Sequence, residues 1–186
     1  EFFYYLIIPF IFFWAKKSAA PSTITSNNSA SYALHLNAAS TNTISQCYVE
    51  NLPGTAARLE GGAVSNTISL STMTSNAAGF YALYIVNADS NTVPGSYLSN
   101  SAGKGVRLDI GADYNTISLS TMTSNTAGYY ALYMINADSN TVTGSYLSNP
   151  PGTGARLTGG ADYNTISQST LPTNAALYYP LWIDAS

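Results

Sequence analysis

Residues 66–69 read Asn-Thr-Ile-Ser, and this short motif decides the architecture of the chain. Asparagine followed by threonine and isoleucine or valine recurs with spacings that alternate between 24 and 25 residues. A fixed period of this length predicts a stack of repeats in which each unit packs on its neighbours. The asparagines of the motif are Asn42, Asn66, Asn91, Asn115, Asn140 and Asn164.

Two further apolar series keep the same period. We predict that each series forms a column of stacked side chains inside the core, so that Leu83, Leu108 and Leu132 lie over one another. The first series is Leu34, Leu59, Leu83, Leu108, Leu132, Leu157 and Leu181. The second is Ile24, Val49, Met73, Leu98, Met122, Leu147 and Leu171.

The repeating unit is predicted to be built from strands. In Asn-Thr-Ile-Ser the threonine and serine point outward and the isoleucine inward, and in residues 81–85 we expect Tyr81, Leu83 and Ile85 to share one face. Glycine, asparagine, serine and aspartate separate these segments, as turns require. Stacked coils would bring like residues to about 4.8 Å from one another.

The full unit is a pair of coils. Residues 66–114 and 115–163 are nearly the same text, and Tyr32, Tyr81, Tyr130 and Tyr179 are each 49 residues apart. Arg58, Arg107 and Arg156 keep the same spacing. Duplication of a two-coil unit explains the pattern.

Polar residues also recur in columns. We expect the asparagines of the motif to take a left-handed turn conformation and to form an amide ladder. A second asparagine column is predicted at another corner. Cys47 heads a series of serines predicted to fill a narrow buried corner, in which hydroxyl groups bond to the next coil. The second asparagine series is Asn27, Asn51, Asn76, Asn100, Asn125, Asn149 and Asn174.

In its Asn-Thr-Ile/Val motif and coil length, the chain resembles right-handed parallel β-helix proteins of the pectate-lyase-like group. The resemblance covers about residues 22–186. It implies an all-β, single-stranded solenoid of about seven coils, with residues 21–186 as the repeat domain. It implies no single activity, because this group contains lyases, hydrolases, adhesins and phage tailspikes.

Residues 1–20 stand apart from the repeats. Residues 2–15 are almost wholly apolar but shorter than a membrane-spanning helix. They are interpreted as an export signal or, alternatively, as a cap or membrane anchor.

Composition and motifs bear on function. Charged residues form 8% of the chain and the net charge is −3, which argues against nucleic-acid binding. The Asn-Thr-Asp, Asp-Asp, Gly-His-Gly and Arg-Ile-Lys motifs of pectin-cleaving hydrolases do not occur. We therefore predict no catalytic residue and no cofactor, and we expect His35 to be solvated.

One outward column of mixed aromatic and polar groups is a candidate carbohydrate-contacting face. It is predicted to contain His35, Glu60, Tyr84, Asp109, Tyr133, Thr158 and Trp182. Glu60 and Asp109 would then be separated by Tyr84, about 10 Å apart, which is marginal for glycosidase chemistry. The arginines are expected to pair with neighbouring acids or to stack on tyrosines. The predicted ligand-contacting residues are Tyr84, Tyr133, Trp182, Arg58, Arg107 and Arg156.

Two other columns are considered. Asp89, Asp113, Asp138 and Asp162 either accept turn N–H bonds or bind calcium. A face of threonines beside serines resembles that of ice-binding β-helices.

The functional hypothesis is a secreted or cell-surface stalk or adhesin module with a polysaccharide or cell-surface glycan as partner. A polysaccharide lyase or hydrolase and an ice-binding protein are the alternatives. An open end of the rod also predicts further repeats or end-to-end association.

Overall fold

The computed structural model describes residues 18–19 and 21–184, which form three parallel sheets wound as a solenoid of about seven coils. Each complete coil crosses sheet A, then sheet B, then sheet C. No helix occurs within these described ranges. The strand order confirms the predicted parallel β-helix, because neighbours in every sheet come from consecutive coils.

The strands are short and keep similar lengths along the rod. Sheet A contains β1 (Ser18–Ala19), β4 (Thr43–Ser45), β7 (Thr67–Ser69), β10 (Thr92–Pro94), β13 (Thr116–Ser118), β16 (Thr141–Thr143) and β19 (Thr165–Ser167). Sheet B contains β2 (Thr23–Ser26), β5 (Tyr48–Asn51), β8 (Thr72–Ser75), β11 (Tyr97–Asn100), β14 (Thr121–Ser124) and β17 (Tyr146–Ser148). Sheet C contains β3 (Tyr32–Asn37), β6 (Thr55–Glu60), β9 (Tyr81–Val86), β12 (Lys104–Asp109), β15 (Tyr130–Ile135), β18 (Thr153–Thr158) and β20 (Leu181–Ile183).

The aliphatic columns of sheets A and B have the predicted register. Ile117 lies between Val93 and Val142, and Leu98 lies between Met73 and Met122. All six side chains are buried. Because each coil buries its apolar side chains against those of its neighbours, these columns form a continuous core along the rod.

The predicted leucine column in sheet C is wrong. Leu83 pairs with Val106, and Leu108 pairs with Ile85, two residues away from the expected register. Sheet C therefore has two inward columns with spacings that alternate between 23 and 26 residues. One contains Leu34, Ala57, Leu83, Val106, Leu132, Ala155 and Leu181, and the other Leu36, Leu59, Ile85, Leu108, Met134, Leu157 and Ile183.

Turn length explains this shift. The turn from sheet B to sheet C covers five residues at 27–31, 76–80 and 125–129, but only three at 52–54 and 101–103. A coil with the long turn enters sheet C two residues later. The leucine series keeps a regular spacing in sequence because its successive members alternate between these two inward columns.

Residues 81–85 also depart from simple alternation. Ala82 and Leu83 are both fully buried, while the ring of Tyr81 lies 4.8 Å from that of Tyr84. Tyr81 is therefore on the outer side with Tyr84, and the expectation that it shares the inner face with Leu83 is wrong.

The predicted amide ladder is present. Asn91 donates from Nδ2 to Asn115 Oδ1 at 3.1 Å, and its own Oδ1 accepts from Asn66 Nδ2 at 2.9 Å. The prediction of a left-handed asparagine is wrong, because the residue before it takes that conformation. Ser90 has φ 56° and Tyr114 has φ 57°.

The second predicted asparagine column alternates with serine instead. Asn100 pairs with Ser75 in the preceding coil and Ser124 in the next. Its Nδ2 donates to Ala77 O at 3.1 Å and Phe80 O at 2.8 Å, which ties a short turn onto the long turn beneath it.

The buried serine column has the predicted hydrogen bonds. The backbone N–H of Cys47 donates to Ser71 Oγ at 3.1 Å, and that of Ser71 donates to Ser96 Oγ at 3.2 Å. Cys47 is buried as expected, and burial raises the pKa of its thiol.

Most of the predicted signal, cap or anchor at residues 1–20 lies outside the described residues. Within them, β1 adds an edge strand to sheet A, with Ser18 beside Thr43. Over the part of the chain that the structure describes, no helix is long and apolar enough to cross a membrane.

Candidate functional site

The outer side of sheet C brings all six predicted ligand-contacting residues into one column. We call this column, with the aromatic residues beside it, the aromatic–arginine face. The column contains His35, Arg58, Tyr84, Arg107, Tyr133, Arg156 and Trp182, and the flanking rings are Tyr32, Tyr81, Tyr130 and Tyr179.

This column differs from the predicted one because of the two-residue shift. Arginines replace the acidic residues and Thr158, which belong to the neighbouring outward column. In that column Glu60 pairs with Asn37, Asp109 with Val86, and Thr158 with Ile135. The prediction that Glu60 and Asp109 flank Tyr84 in one column is therefore wrong.

Paired aromatic rings occupy every second coil. The ring centres of Tyr130 and Tyr133 lie 4.9 Å apart, and those of Tyr179 and Trp182 lie 5.8 Å apart. In the first coil His35 takes the second place, 4.9 Å from Tyr32. The flanking rings were not among the predicted site residues, although aromatic residues three apart recur with the 49-residue period.

The coils between the ring pairs contribute the arginines. Arg107 has its guanidinium carbon 5.6 Å from the ring centre of Tyr84 and 5.4 Å from that of Tyr133. Arg156 lies 4.2 Å from the ring centre of Trp182. These separations are within the range of cation–π attraction, so each arginine links the aromatic residues of the two neighbouring coils.

Each arginine also pairs with a carboxylate. Arg107 Nη2 lies 2.6 Å from Asp109 Oδ2, and Arg156 Nη2 lies 2.5 Å from Asp184 Oδ2. Arg58 pairs in the same way with Glu60. Both predicted environments of the arginines, the ion pair and the tyrosine contact, are thus present together. Thr158 follows Arg156 where Glu60 and Asp109 follow the other two arginines, and Asp184 of the next coil supplies the carboxylate instead.

Burial and neighbouring charges shift the pKa values of several side chains on this face. Burial and the hydrogen bond to Asp109 raise the pKa of Tyr84 to about 12. Burial also raises the pKa of Tyr133. The pKa of Arg107 is raised despite burial, because Tyr81 and Asp109 stabilise its charge. Tyr84 and Tyr133 therefore remain neutral and Arg107 remains charged at ordinary pH.

Lys104 lies beside the face and was not among the predicted ligand-contacting residues. Its Nζ lies 5.5 Å from the ring centre of Tyr81 and 4.7 Å from that of Tyr129. Burial and the nearby Arg107 lower its pKa.

His35 is not the solvated residue that was expected. Its Nε2 lies 2.6 Å from Glu60 Oε1, and both side chains are partly buried, with 29% and 23% exposed. Glu60 is thus held between His35 and Arg58.

Three of the four aspartates, Asp89, Asp113 and Asp138, accept turn N–H bonds, which was one of the two predicted alternatives. Asp89 Oδ1 accepts from the backbone N–H of Asp113 at 3.0 Å, and Asp113 Oδ1 accepts from that of Asp138 at 2.7 Å. Asp138 Oδ1 likewise accepts from Asp162. Within the described ranges, no three histidine, cysteine, aspartate or glutamate residues lie close enough to hold a metal ion.

Sheets A and B present hydroxyl-rich outer sides. The predicted threonine column of sheet A is in register from Thr43 to Thr165, with Pro94 interrupting the serine column beside it.

On sheet B, Tyr97 lies between Thr72 and Thr121. A shallow cavity of about 280 Å³ is lined there by Tyr97, Ser99, Ser101, Thr123, Ser124, Asn125, Ser148 and Pro150.

Comparisons with known families support the fold. The family model described as "Right handed beta helix region" matches residues 11–171, most of the chain. The chain belongs to the right-handed β-helix family. This membership confirms the resemblance drawn from the repeats. A search of curated proteins finds no match.

Solved structures share the fold of this β-helix chain at low sequence identity. A tailspike protein from Escherichia coli O157:H7 bacteriophage CAB120 aligns with TM-score 0.59 and 13% identity, over 77% of this chain and 20% of the tailspike. Pectate lyase Pel9A aligns with TM-score 0.57 and 12% identity, over 89% and 52%. Alginate lyase from Paenibacillus sp. str. FPU-7 aligns with TM-score 0.52 and 13% identity, over 91% and 85%. The β-helix chain thus spans a fifth of the tailspike and about half of the pectate lyase.

Proposed function

We propose that this chain is an extracellular β-helix module that forms a rigid rod and contacts polysaccharide through the aromatic–arginine face. The observation that carries the proposal is the repetition of paired aromatic rings on one side of the rod, held in place by arginine. Aromatic rings offer apolar surface to sugar rings, and their hydroxyl groups offer hydrogen bonds.

Rigidity supports a binding role. The side chains of Arg107 and Asp109 are only 23% and 8% exposed, and both contact the aromatic residues of this face. Ordering the rings before binding lowers the entropy lost when a ligand binds. Tailspikes and polysaccharide lyases share the fold, which is consistent with a polysaccharide partner.

The test is a titration of the folded chain with a panel of oligosaccharides, followed by calorimetry. Replacing Tyr84 and Tyr133 together by leucine should weaken binding about tenfold or more, since each ring contributes on the order of 1 kcal/mol. The matched control replaces Tyr97 and Tyr146 on sheet B, which are also in alternate coils and are 45% and 44% exposed.

Equal loss in both double variants, or no binding by the parent chain to any saccharide, would remove this proposal. Release of reducing ends or unsaturated products from the same saccharides would instead support the enzyme alternative.

A second candidate function rests on sheet A. Its threonines stand in register over consecutive coils, and neighbouring hydroxyl groups are ordered by hydrogen bonds, such as Thr67 to Thr92 at 3.1 Å. A regular hydroxyl array is the feature that favours ice binding. Thermal hysteresis that disappears in a Thr92→Tyr variant would support this function, and its absence in the parent chain would exclude it.

A further inference from the structure

The arginines of the aromatic–arginine face already use both terminal nitrogens in contacts within the protein. Arg107 Nη1 donates to Tyr81 Oη at 2.9 Å, and its Nη2 pairs with Asp109. Its Nε is buried without a partner. Arg156 is held in the same way by Tyr130 and Asp184, and its Nε also donates to Asp184 at 3.1 Å. Arginine binds carboxylates well when its fork of donors is free, which is not the case here.

The net charge of the face also argues against binding of an anionic ligand. Arg58, Arg107 and Arg156 are each matched by one carboxylate, so the three pairs contribute no net charge. Lys104 lies beside them, lodged between tyrosine rings, and the whole chain carries a net charge of −3. Since Lys104 is the one cation among the described residues of this region that is not matched by a carboxylate in these contacts, a polysaccharide with one carboxylate per sugar would gain little electrostatic attraction from this arrangement.

The spacing of the rings suggests the form of the ligand. Ring pairs such as Tyr81 with Tyr84, and Tyr130 with Tyr133, recur every second coil. Two coils span about 9.6 Å along the rod axis. This distance is close to the length of one disaccharide in an extended β-1,4-linked chain, in which alternate sugars present the same face.

We propose that the aromatic–arginine face takes a neutral, extended β-1,4-linked glycan that runs along the rod axis, with one disaccharide for every two coils. This inference rests on the proposed polysaccharide-binding function and names its ligand class. The arginines then act as positioning residues that hold the rings, and the tyrosines and Trp182 make the contacts.

The experiment compares neutral oligosaccharides of glucose, xylose and mannose with oligogalacturonate and oligoalginate of the same lengths. We expect binding of at least one neutral series, with little change between low and high salt, because no ion pair forms with the ligand. Affinity should rise in steps of two sugars, by about tenfold for each added ring pair that is engaged.

A Lys104→Thr variant sharpens the result, because Thr55 and Thr153 are the residues at the equivalent places. We expect it to bind the neutral series within about twofold of the parent chain. Preferential binding of uronate oligomers that weakens with salt and in Lys104→Thr would overturn this inference but leave the polysaccharide function intact. No binding of either class would remove the proposed function itself.

Discussion

Arg107 stands directly beside Tyr84 in the parallel pairing of β9 and β12, with its guanidinium carbon 5.6 Å from the tyrosine ring centre. The same arginine reaches Tyr133 on its other side. This contact exists because sheet C is shifted by two residues in alternate coils. Without the shift Asp109 would stand beside Tyr84, and the column would alternate aromatic and acidic groups.

Disulfide trapping tests this register. In a Cys47→Ser background, Val86→Cys with Asp109→Cys should crosslink readily, because their Cα atoms are partners in the sheet. Tyr84→Cys with Asp109→Cys, the pair that the sequence spacing favours, should crosslink far more slowly. Both variants lose the Asp109 carboxylate, so each controls for the other. Mass spectrometry after mild oxidation gives the yields, and equal yields would contradict the shifted register.

The arginine–carboxylate pair should matter for stability. Arg107→Met leaves the Asp109 side chain, only 8% exposed, without its cation, and should lower the free energy of unfolding by about 3 kcal/mol. The double variant Arg107→Met with Asp109→Leu should lose clearly less, since no buried charge is left unpaired. Chemical denaturation measures both. A double variant that is less stable than the single one would argue against this account.

The stability of the chain should depend on the asparagine ladder to a similar extent. Asn91 is fully buried, and its amide both donates to Asn115 and accepts from Asn66. Asn91→Ala leaves buried polar groups on both sides without partners and should cost about 3 kcal/mol. Asn125→Ala, at an exposed turn, serves as the control and should change stability by less than about 0.5 kcal/mol. Comparable losses of unfolding free energy at the two positions would show that the asparagine ladder is not the cause of the destabilisation.

The raised pKa of Tyr84 predicts a loss of stability at high pH. Between pH 10 and about 12, the unfolded chain releases the proton of this phenol while the folded chain keeps it. The unfolded state then binds fewer protons, so stability falls as the pH rises through this window, and the contribution is complete below pH 10.

Melting temperatures across this window give the measurement. Tyr84→Phe should have a shallower fall than the parent chain, and Tyr97→Phe on sheet B supplies the control for removing a phenol as such. The same slope in Tyr84→Phe and the parent chain would mean that other groups dominate alkaline unfolding.

Several features could be predicted from the sequence because they depend on strict repetition. The columns of sheets A and B, the asparagine ladder and the buried serine column all recur at the coil length. The environments of the arginines were also foreseen, since Arg107 lies two residues from Asp109 on the same strand. That the arginines lie in one column with Tyr84, Tyr133 and Trp182 was not predicted.

By itself, the sequence determined the period of 24 or 25 residues, the strand character of the coil and the side chains available to each sheet, because these follow from local alternation and repetition. Only the tertiary structure decided where each coil enters sheet C. The sum of two coils is fixed at 49 residues, but its division in sheet C into 23 and 26 depends on how the turns at 76–80 and 101–103 fold over one another. Hydrogen bonds from Asn100 to the turn beneath set that fit, and they are contacts between coils that spacing alone cannot reveal.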